Sequence, residues 1–256
     1  MIKLKCNIYA NDGKVTGEMD LPGFFEEPVR NDLIKKAFRA ISLSKRQPYG
    51  SSPFAGMRRV GQNVGANHGI SRIPRLAGGS RGVILASMVG GRSAHSPRSN
   101  KNLYVKINKK ERILARRSAI SSTASRELVS SRGHKVPQEL TLPVIVDSSI
   151  DRIKKTKDAL VFLETIGISG EVTRVKEGKK IRAGRGKMRG RRYKKPVGIL
   201  LVESKEQDLS AFKGLPGVEV SKVSALSISK LAPGGNPGRL TIFTKSAINS
   251  MEEIKR

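Results

Sequence analysis

Tryptophan is absent from this 256-residue chain, and aromatic residues make up only 4% of it. Proteins that bind single strands by stacking bases rely on aromatic platforms, so the composition speaks against that binding mode. The only cysteine is Cys6, which excludes an intrachain disulfide and the framework of a small secreted domain. The three histidines, His68, His95 and His134, lack zinc-ligand spacing with Cys6, so we expect no metal site.

Long apolar segments are also missing. No apolar run approaches the roughly eighteen residues that a membrane-spanning helix needs. The opening stretch, MIKLKCNIYA, has no apolar core of a signal peptide. We therefore expect a cytoplasmic protein with no signal peptide and no membrane partner.

Acidic residues are few compared with basic ones. The chain has 21 Asp and Glu against 50 Lys and Arg, which gives a formal net charge of +29. Such a charge predicts a polyanionic partner, and nucleic acid is the first candidate. A membrane surface fits less well, because the basic stretches are rich in Gly and Pro rather than forming amphipathic helices.

The densest positive charge lies in KKIRAGRGKMRGRRYKK, residues 179–195, where ten of seventeen residues are Lys or Arg, three are Gly and none is acidic. A solvated charge run normally mixes Glu with Lys, so this one indicates a bound counter-charge. Glycine lets the backbone approach a phosphate chain, and arginine donates paired hydrogen bonds to phosphate. We call residues 178–196 the strap and predict that it binds RNA through Lys179, Lys180, Arg182, Arg185, Lys187, Arg189, Arg191 and Arg192.

A second unusual segment, residues 45–102, is called the arm. It shows no sustained helical or strand period and contains ten Gly, four Pro and ten Lys or Arg. No Asp or Glu occurs between Asp32 and Glu111. A loop of this length is either disordered or functional. The apolar run Val83–Ala86 favours an arm that orders on a partner surface over a freely solvated linker.

Outside these segments the apolar patterns alternate between strands and helices. Strands are predicted at residues 2–9, 142–146, 172–175, 197–202, 218–223 and 240–244. Helices are predicted at residues 28–43, 108–128, 151–166, 208–213, 226–231 and 246–255. The alternation predicts an α/β fold, with a mostly parallel sheet flanked by helices in a doubly wound-like arrangement and a long, irregular, basic extended loop. Residues 1–256 are expected to form one globular domain, with the arm inserted in it.

The predicted helix after the arm has a basic face formed by Lys109, Lys110, Arg112, Arg116, Arg117 and Arg126. This face is either simply solvated or turned toward RNA, and the pattern does not decide between the two.

Signals of catalysis are weak. Gly184, Gly186 and Gly190 have the spacing G-x-G-x-x-x-G, which departs from the dinucleotide fingerprint, and no Gly-Lys-Ser or Gly-Lys-Thr phosphate loop occurs. The carboxylates fall almost entirely on predicted helices and turns, where solvated surface is the default. We expect no enzyme and no catalytic residue.

Several long blocks also resemble a known family. They are RQPYG from Arg46, GGRSAH from Gly90, INKKER from Ile107, KIRAGRGKMRGRRYKKP from Lys180 and LAPGGNPGRLTIFT from Leu231. Together with Pro28-Val29-Arg30 they resemble the ribosomal protein L-four family, universal large-subunit protein four, in its archaeal and eukaryotic form. The resemblance implies an α/β domain at the surface of the large ribosomal subunit that binds 23S-class rRNA and supports subunit assembly.

The resemblance also implies that the arm penetrates the rRNA, and that its tip contacts the nascent chain in the exit tunnel beside ribosomal protein L-twenty-two. The middle of the arm is farthest from both anchoring helices, which predicts a tip at Asn67, His68, Gly69, Ile70, Ser71, Arg72, Ile73, Pro74 and Arg75. The arm is then expected to hold RNA through Arg46, Tyr49, Arg58, Arg59, Arg72, Arg75, Arg81, Arg92, His95, Arg98 and Lys101, of which Arg72 and Arg75 also belong to the tip. No cofactor and no homo-oligomer are implied.

Two rival functions remain open at this point. A free-standing nucleic-acid-binding or regulatory protein would bind duplex or single strands without a ribosome, although a long exposed arm would be a proteolytic hazard for it. An enzyme on a doubly wound sheet would show nucleotide binding and saturable turnover.

Overall fold

The computed structural model describes residues 4–58, 61–204 and 208–253. A six-stranded sheet has the spatial order β2-β1-β3-β8-β6-β7, in which only β2 runs antiparallel to its neighbour. Its strands are β1 (Lys5–Tyr9), β2 (Val15–Asp20), β3 (Val144–Val146), β6 (Leu200–Glu203), β7 (Glu219–Lys222) and β8 (Thr241–Thr244). A separate antiparallel pair consists of β4 (Lys180–Ile181) and β5 (Tyr193–Lys194).

Helices flank the sheet. They are α1 (Asn31–Ser44), α2 (Lys109–Ser121), α3 (Arg126–Ser131), α4 (Thr156–Thr165), α5 (Ser169–Glu177), α6 (Ile228–Leu231) and α7 (Lys245–Glu253). Short 3-10 turns lie at Gly23–Phe25, Ser148–Arg152, Arg185–Arg189, Ser210–Gly214, Val223–Ala225 and Pro233–Gly235. The predicted α/β class with a mostly parallel sheet is confirmed.

The central strands are covered on both faces. Every residue of β3, β6 and β8 is buried, as in parallel strands between two helical layers. Successive side chains alternate between two cores, so Ile145 packs in one cluster with α1, α2, α6 and α7. Val144 and Val146 pack in the other cluster with α3, α4 and α5.

Two sequence-based predictions of elements were wrong. Residues 172–175 are not a strand but part of α5, because Val172 and Val175 are spaced three apart and are buried on one face of that helix. Residues 15–20 form β2, where no strand was predicted. This edge strand is almost wholly exposed, so it carries no apolar alternation to reveal it.

The predicted helix over residues 108–128 is two helices, α2 and α3, with a break at residues 122–125. Buried hydroxyls of α2 bind the chain before α1. Ser118 Oγ donates to the Pro28 carbonyl at 2.9 Å, and Ser121 Oγ donates to the Glu27 carbonyl at 2.6 Å. The serines therefore attach α2 to the segment that leads into α1.

The chain divides into two compact units. One comprises residues up to Ile41 together with those from Lys106 onward, and the other is Ser42–Val105, which contains the arm. Within the described part of the chain, no helix is both long and apolar enough to cross a bilayer.

Candidate nucleic-acid interface

The strap is a β-hairpin. Lys180 pairs with Lys194 and Ile181 with Tyr193, and the 3-10 turn Arg185–Arg189 lies between the two short strands. Gly184 and Gly190 bound this turn with φ of +77° and +76°, a backbone region that side chains disfavour. The glycines of the basic stretch therefore shape its turn.

One strap arginine is used within the hairpin itself. Arg182 Nε donates to the Arg191 carbonyl at 3.0 Å, and a second guanidinium nitrogen donates to the Tyr193 carbonyl at 3.4 Å. Arg182 is also the only half-buried member among the eight predicted strap residues, all of which are described. Its predicted RNA contact remains a prediction, and its observed role is to close the hairpin.

Tyr193 is a cationic stacking centre on the strap. The Lys179 ammonium lies 4.4 Å from the ring centroid, and the Arg192 guanidinium lies 5.8 Å from it. Cation–π attraction at an exposed ring is worth about 0.5–1 kcal/mol. The ring thus holds two predicted RNA-binding cations beside each other.

Apart from Arg182, the predicted strap cations are exposed and make no ion pair with a described residue, although Lys179 and Arg192 keep their contacts with Tyr193. Lys179, Lys180, Arg185, Lys187, Arg189, Arg191 and Arg192 are all exposed. Among the residues that the structure describes, none of them forms an ion pair. These side chains are free to meet an external anion.

The base of the strap is anchored by α5. Gly178 directly follows this helix and packs against the ring of Pro196, so that a Cβ at Gly178 would collide with the ring. Arg174 of α5 donates to the Val197 carbonyl at 2.9 Å. The first and last residues of the strap are therefore held together on one helix end.

Arg174 is held in turn by a buried carboxylate. Glu171 accepts hydrogen bonds from Arg174 at 2.6 and 2.8 Å, from His134 Nδ1 at 2.7 Å and from the Lys135 N–H at 3.1 Å. Burial alone would raise the pKa of Glu171, but the hydrogen bonds from Arg174 and His134 outweigh it and lower that pKa. We call Glu171, Arg174 and His134 the strap clamp.

The arm has a base of its own. Gly50 lies so close to Pro97 and Arg98 that a Cβ would collide with their backbone, and the Ser51 N–H donates to the Pro97 carbonyl at 3.2 Å. This contact brings together the two ends of the arm, which carry the blocks RQPYG and GGRSAH of the family resemblance. Near it, the Arg46 guanidinium lies 5.7 Å from the Tyr49 ring centroid.

The predicted tip lies on a closed loop within the arm. Gln62 and Arg75 exchange two backbone hydrogen bonds, of 3.0 and 2.9 Å, which close residues 63–74 into a loop. Asn67 has φ of +68° at its turn. Residues 67–72 are exposed, whereas residues 73–75 are half-buried at the closing pair.

Arg75 joins two such loops. Its backbone also pairs with Gly82, and its guanidinium donates to the Ser80 carbonyl and, at 3.3 Å, to Ser71 Oγ. Its Nε is buried and makes no hydrogen bond within the described residues. Arg75 therefore organises the loop, and its predicted RNA contact stays a prediction.

The remaining predicted arm residues are mostly open to solvent. Exposed positions are Arg46, Tyr49, Arg58, Arg72, Arg81, His95, Arg98 and Lys101, and Arg92 is half-buried. Arg59 lies outside the described residues. The arm contains no Asp or Glu, and no described arm residue forms an ion pair with a described residue elsewhere.

The block LAPGGNPGRLTIFT has a structural role that sequence reasoning missed. Arg239 is 2% exposed and donates to Glu219 at 2.8 Å and to the carbonyls of Gly198 and Lys230 at 2.9 and 2.7 Å. Burial lowers the pKa of Arg239, and Glu219 opposes that shift. A lone arginine before an apolar run gave no signal of this burial.

Metal ligation has no support in the part of the chain described here. No group of three His, Cys, Asp or Glu side chains converges within those residues. What the geometry offers is a hairpin and an arm that present unpaired cations and exposed turns, which suits binding to a polyanion.

Comparison with known proteins identifies the family. The model of the ribosomal protein L4/L1 family matches residues 19–254. The large ribosomal subunit protein uL4 of Thermoplasma acidophilum is 56% identical over 250 residues, which cover 98% of both chains. Those of Thermoplasma volcanium and Methanocaldococcus jannaschii are 58% and 47% identical over 249 and 251 residues, with 97% and 98% of this chain covered and 98% and 99% of theirs. The chain therefore belongs to the ribosomal protein L4/L1 family.

Proposed function

We propose that the chain is a structural constituent of the large ribosomal subunit that binds 23S-class rRNA through its arm and strap. The observation that carries this proposal is the set of exposed strap cations that form no ion pair with a described residue, on a hairpin clamped at its base. Near full-length similarity to proteins named large ribosomal subunit protein uL4 supports the ribosomal setting.

The mechanism is binding without turnover. Arginine and lysine neutralise phosphates and release counterions, so affinity falls steeply with salt. The glycine-bounded turn of the strap lets the backbone follow RNA shape, and folded RNA structure, more than base edges, supplies specificity. Because the clamp and the Arg182 bonds order the hairpin before binding, less conformational entropy is lost on the RNA.

The finer proposal concerns the arm. Asn67 to Arg72 lie within the exposed stretch of the 63–74 loop, and we assign them to the exit tunnel, where they meet the nascent chain beside ribosomal protein L-twenty-two. Ile73, Pro74 and Arg75 support that tip from the closing pair. The domain assignment follows, with one α/β domain, an inserted RNA-penetrating arm and a strap, in a ribosome-bound cytoplasmic protein that supports subunit assembly.

Charge-matched variants test RNA binding by the strap. The triple variant R185Q/K187Q/R189Q removes three exposed cations of the strap turn. Its control, K154Q/K155Q/K157Q, removes three exposed lysines around the start of α4 that form no ion pair with a described residue. Both variants change the net charge equally.

Affinity for naked large-subunit rRNA is measured across a salt series. If the strap contacts phosphates, its variant reduces the slope of log affinity against log salt by about 2–3, at roughly 0.7–0.9 per lost contact, and the control changes it by less than about 1. Equal slopes for the two variants would show that only net charge matters. In that case a free-standing nucleic-acid-binding protein becomes the better reading.

A further inference from the structure

The first compact unit, which contains the six-stranded sheet, has a groove that the proposed RNA binding does not use. It has a volume of about 540 Å³ and lies between α2, α6, α7 and the 3-10 turn Gly23–Phe25. Its floor is apolar and includes Ile120, Val223, Leu226, Ile228 and Met251. Its described lining residues all belong to the first compact unit, and none of them lies in the strap.

The α2 side of the groove is cationic. Lys109, Arg112, Arg116 and Arg117 all line it. Arg117 pairs with Glu27 at 3.1 Å, but the other three form no ion pair with any residue in the described ranges. This rim is part of the basic helix face whose purpose the sequence left undecided.

The positive charges of this rim, formed by Lys109, Arg112, Arg116 and Arg117, are only partly balanced by carboxylates among the described residues. Arg112 and Arg116 lie one helical turn apart, where like charges destabilise a helix. Burial, together with the charge of Arg112, lowers the pKa of Arg116. The carboxylate of Glu111, next to Arg112, is already held by Lys36 at 2.9 Å. An external carboxylate would relieve this repulsion.

The floor argues against a nucleobase as the occupant. Unpaired bases stack on aromatic rings or arginine planes, but the arginines belong to the α2 side of the groove rather than to its floor, and Phe24 is the only aromatic residue among the described lining side chains. Ile113, which is 36% exposed at the groove, is aliphatic like most of the floor. A surface of this kind gains most by burying aliphatic side chains from a protein partner.

We infer that the groove is a docking site for an apolar segment of a partner protein flanked by acidic residues. The aliphatic side chains of the segment fill the groove, and its carboxylates meet Lys109, Arg112 and Arg116. This goes beyond the proposed function, because it requires neither RNA nor the arm and strap.

The test measures binding of a short synthetic amphipathic peptide with leucine on one face and glutamate elsewhere to the full chain. A second peptide with serine in place of leucine reports charge attraction alone. I113E places a charge in the groove, and L114E places the same charge on α2 at a 43% exposed position outside it. We expect I113E to weaken binding of the leucine peptide at least about tenfold and L114E to weaken it less than about twofold.

A charge-reversal pair guards against loss of folding in I113E. R116E alters the rim, whereas K110E changes an exposed α2 residue outside the lining. R116E is expected to weaken binding of the leucine peptide by about tenfold, as for the loss of one charge-assisted contact. K110E is expected to weaken it by less than about twofold.

Four results would overturn the inference. These are equal binding of the leucine and serine peptides, equal effects within each variant pair, a single-stranded RNA probe that I113E weakens and L114E does not, and a dimer in sedimentation that I113E abolishes. The first two remove the groove as a docking site. The last two assign it to RNA or to a second copy of the chain.

Discussion

The strap clamp leads to a quantitative stability prediction. Both oxygens of the Glu171 carboxylate accept hydrogen bonds from N–H groups, which belong to the Arg174 and His134 side chains and to the Lys135 backbone. The substitution E171Q keeps the shape but replaces one oxygen with an NH₂ group that faces two of these donors. A buried donor left without an acceptor costs about 1–3 kcal/mol, and Arg174 recovers part of that loss because it reaches water.

We therefore expect E171Q to lower the free energy of unfolding by about 2–3 kcal/mol. For a chain of this size that corresponds to a fall in Tm of about 5–10 °C. Urea unfolding at neutral pH, followed by circular dichroism, measures the difference. The control is E164Q, the same chemical change at an exposed position of α4, which should stay within about 0.5 kcal/mol of the unchanged chain.

The same pair of proteins gives a pH test. The pKa of Glu171 is lowered in the folded state, so its stabilisation is present above its ordinary value of 4.5 and is lost as the pH falls toward the lowered value. The stability gap between the unchanged chain and E171Q should accordingly be full at neutral pH and narrow below about pH 4.5. A gap of less than about 0.5 kcal/mol at neutral pH, or one that does not change in acid, would refute the reasoning.

Three further outcomes are expected. R182Q should speed tryptic cleavage within the strap several-fold, because it removes the hydrogen bonds to the Arg191 and Tyr193 carbonyls, while R185Q should not. Equal cleavage rates for the two variants would contradict the role of Arg182 in closing the hairpin. R239M should cost about 2–4 kcal/mol in urea unfolding, since buried carbonyls lose their donor, and an unchanged midpoint would contradict this. Burial raises the pKa of Cys6 to about 11, so iodoacetamide should leave the folded thiol unmodified at pH 8, and rapid alkylation there would be the contrary result.

Some of the fold could be predicted because its signal is local. The apolar runs around Val144–Val146, Leu200–Glu203 and Thr241–Thr244 indicated buried parallel strands, and the structure has them there. The edge strand β2 escaped prediction because exposure on both faces removes the alternation that marks a strand. Part of helix α5 was predicted as a strand, because Val172 and Val175 alone do not distinguish the helical period from that of a strand.

The candidate interface was predictable in composition but not in geometry. Charge and glycine content singled out the strap, yet nothing local shows that Arg182 turns inward while Arg185 stays exposed. The strap clamp joins His134 and Glu171, which lie 37 residues apart, and no sequence spacing encodes such a contact. The same holds for Arg75, whose guanidinium is engaged inside the arm.

The central claim is that the arm and strap hold this chain in a large ribosomal subunit. The most direct measurement is sedimentation of a cell lysate through a sucrose gradient at low and high salt, with the protein followed by immunoblot. The account predicts that the chain travels with the large subunit and remains there after the high-salt wash, because an arm enclosed by RNA is not displaced like a surface-bound cation. A chain found at the top of the gradient, or released at moderate salt, would contradict it.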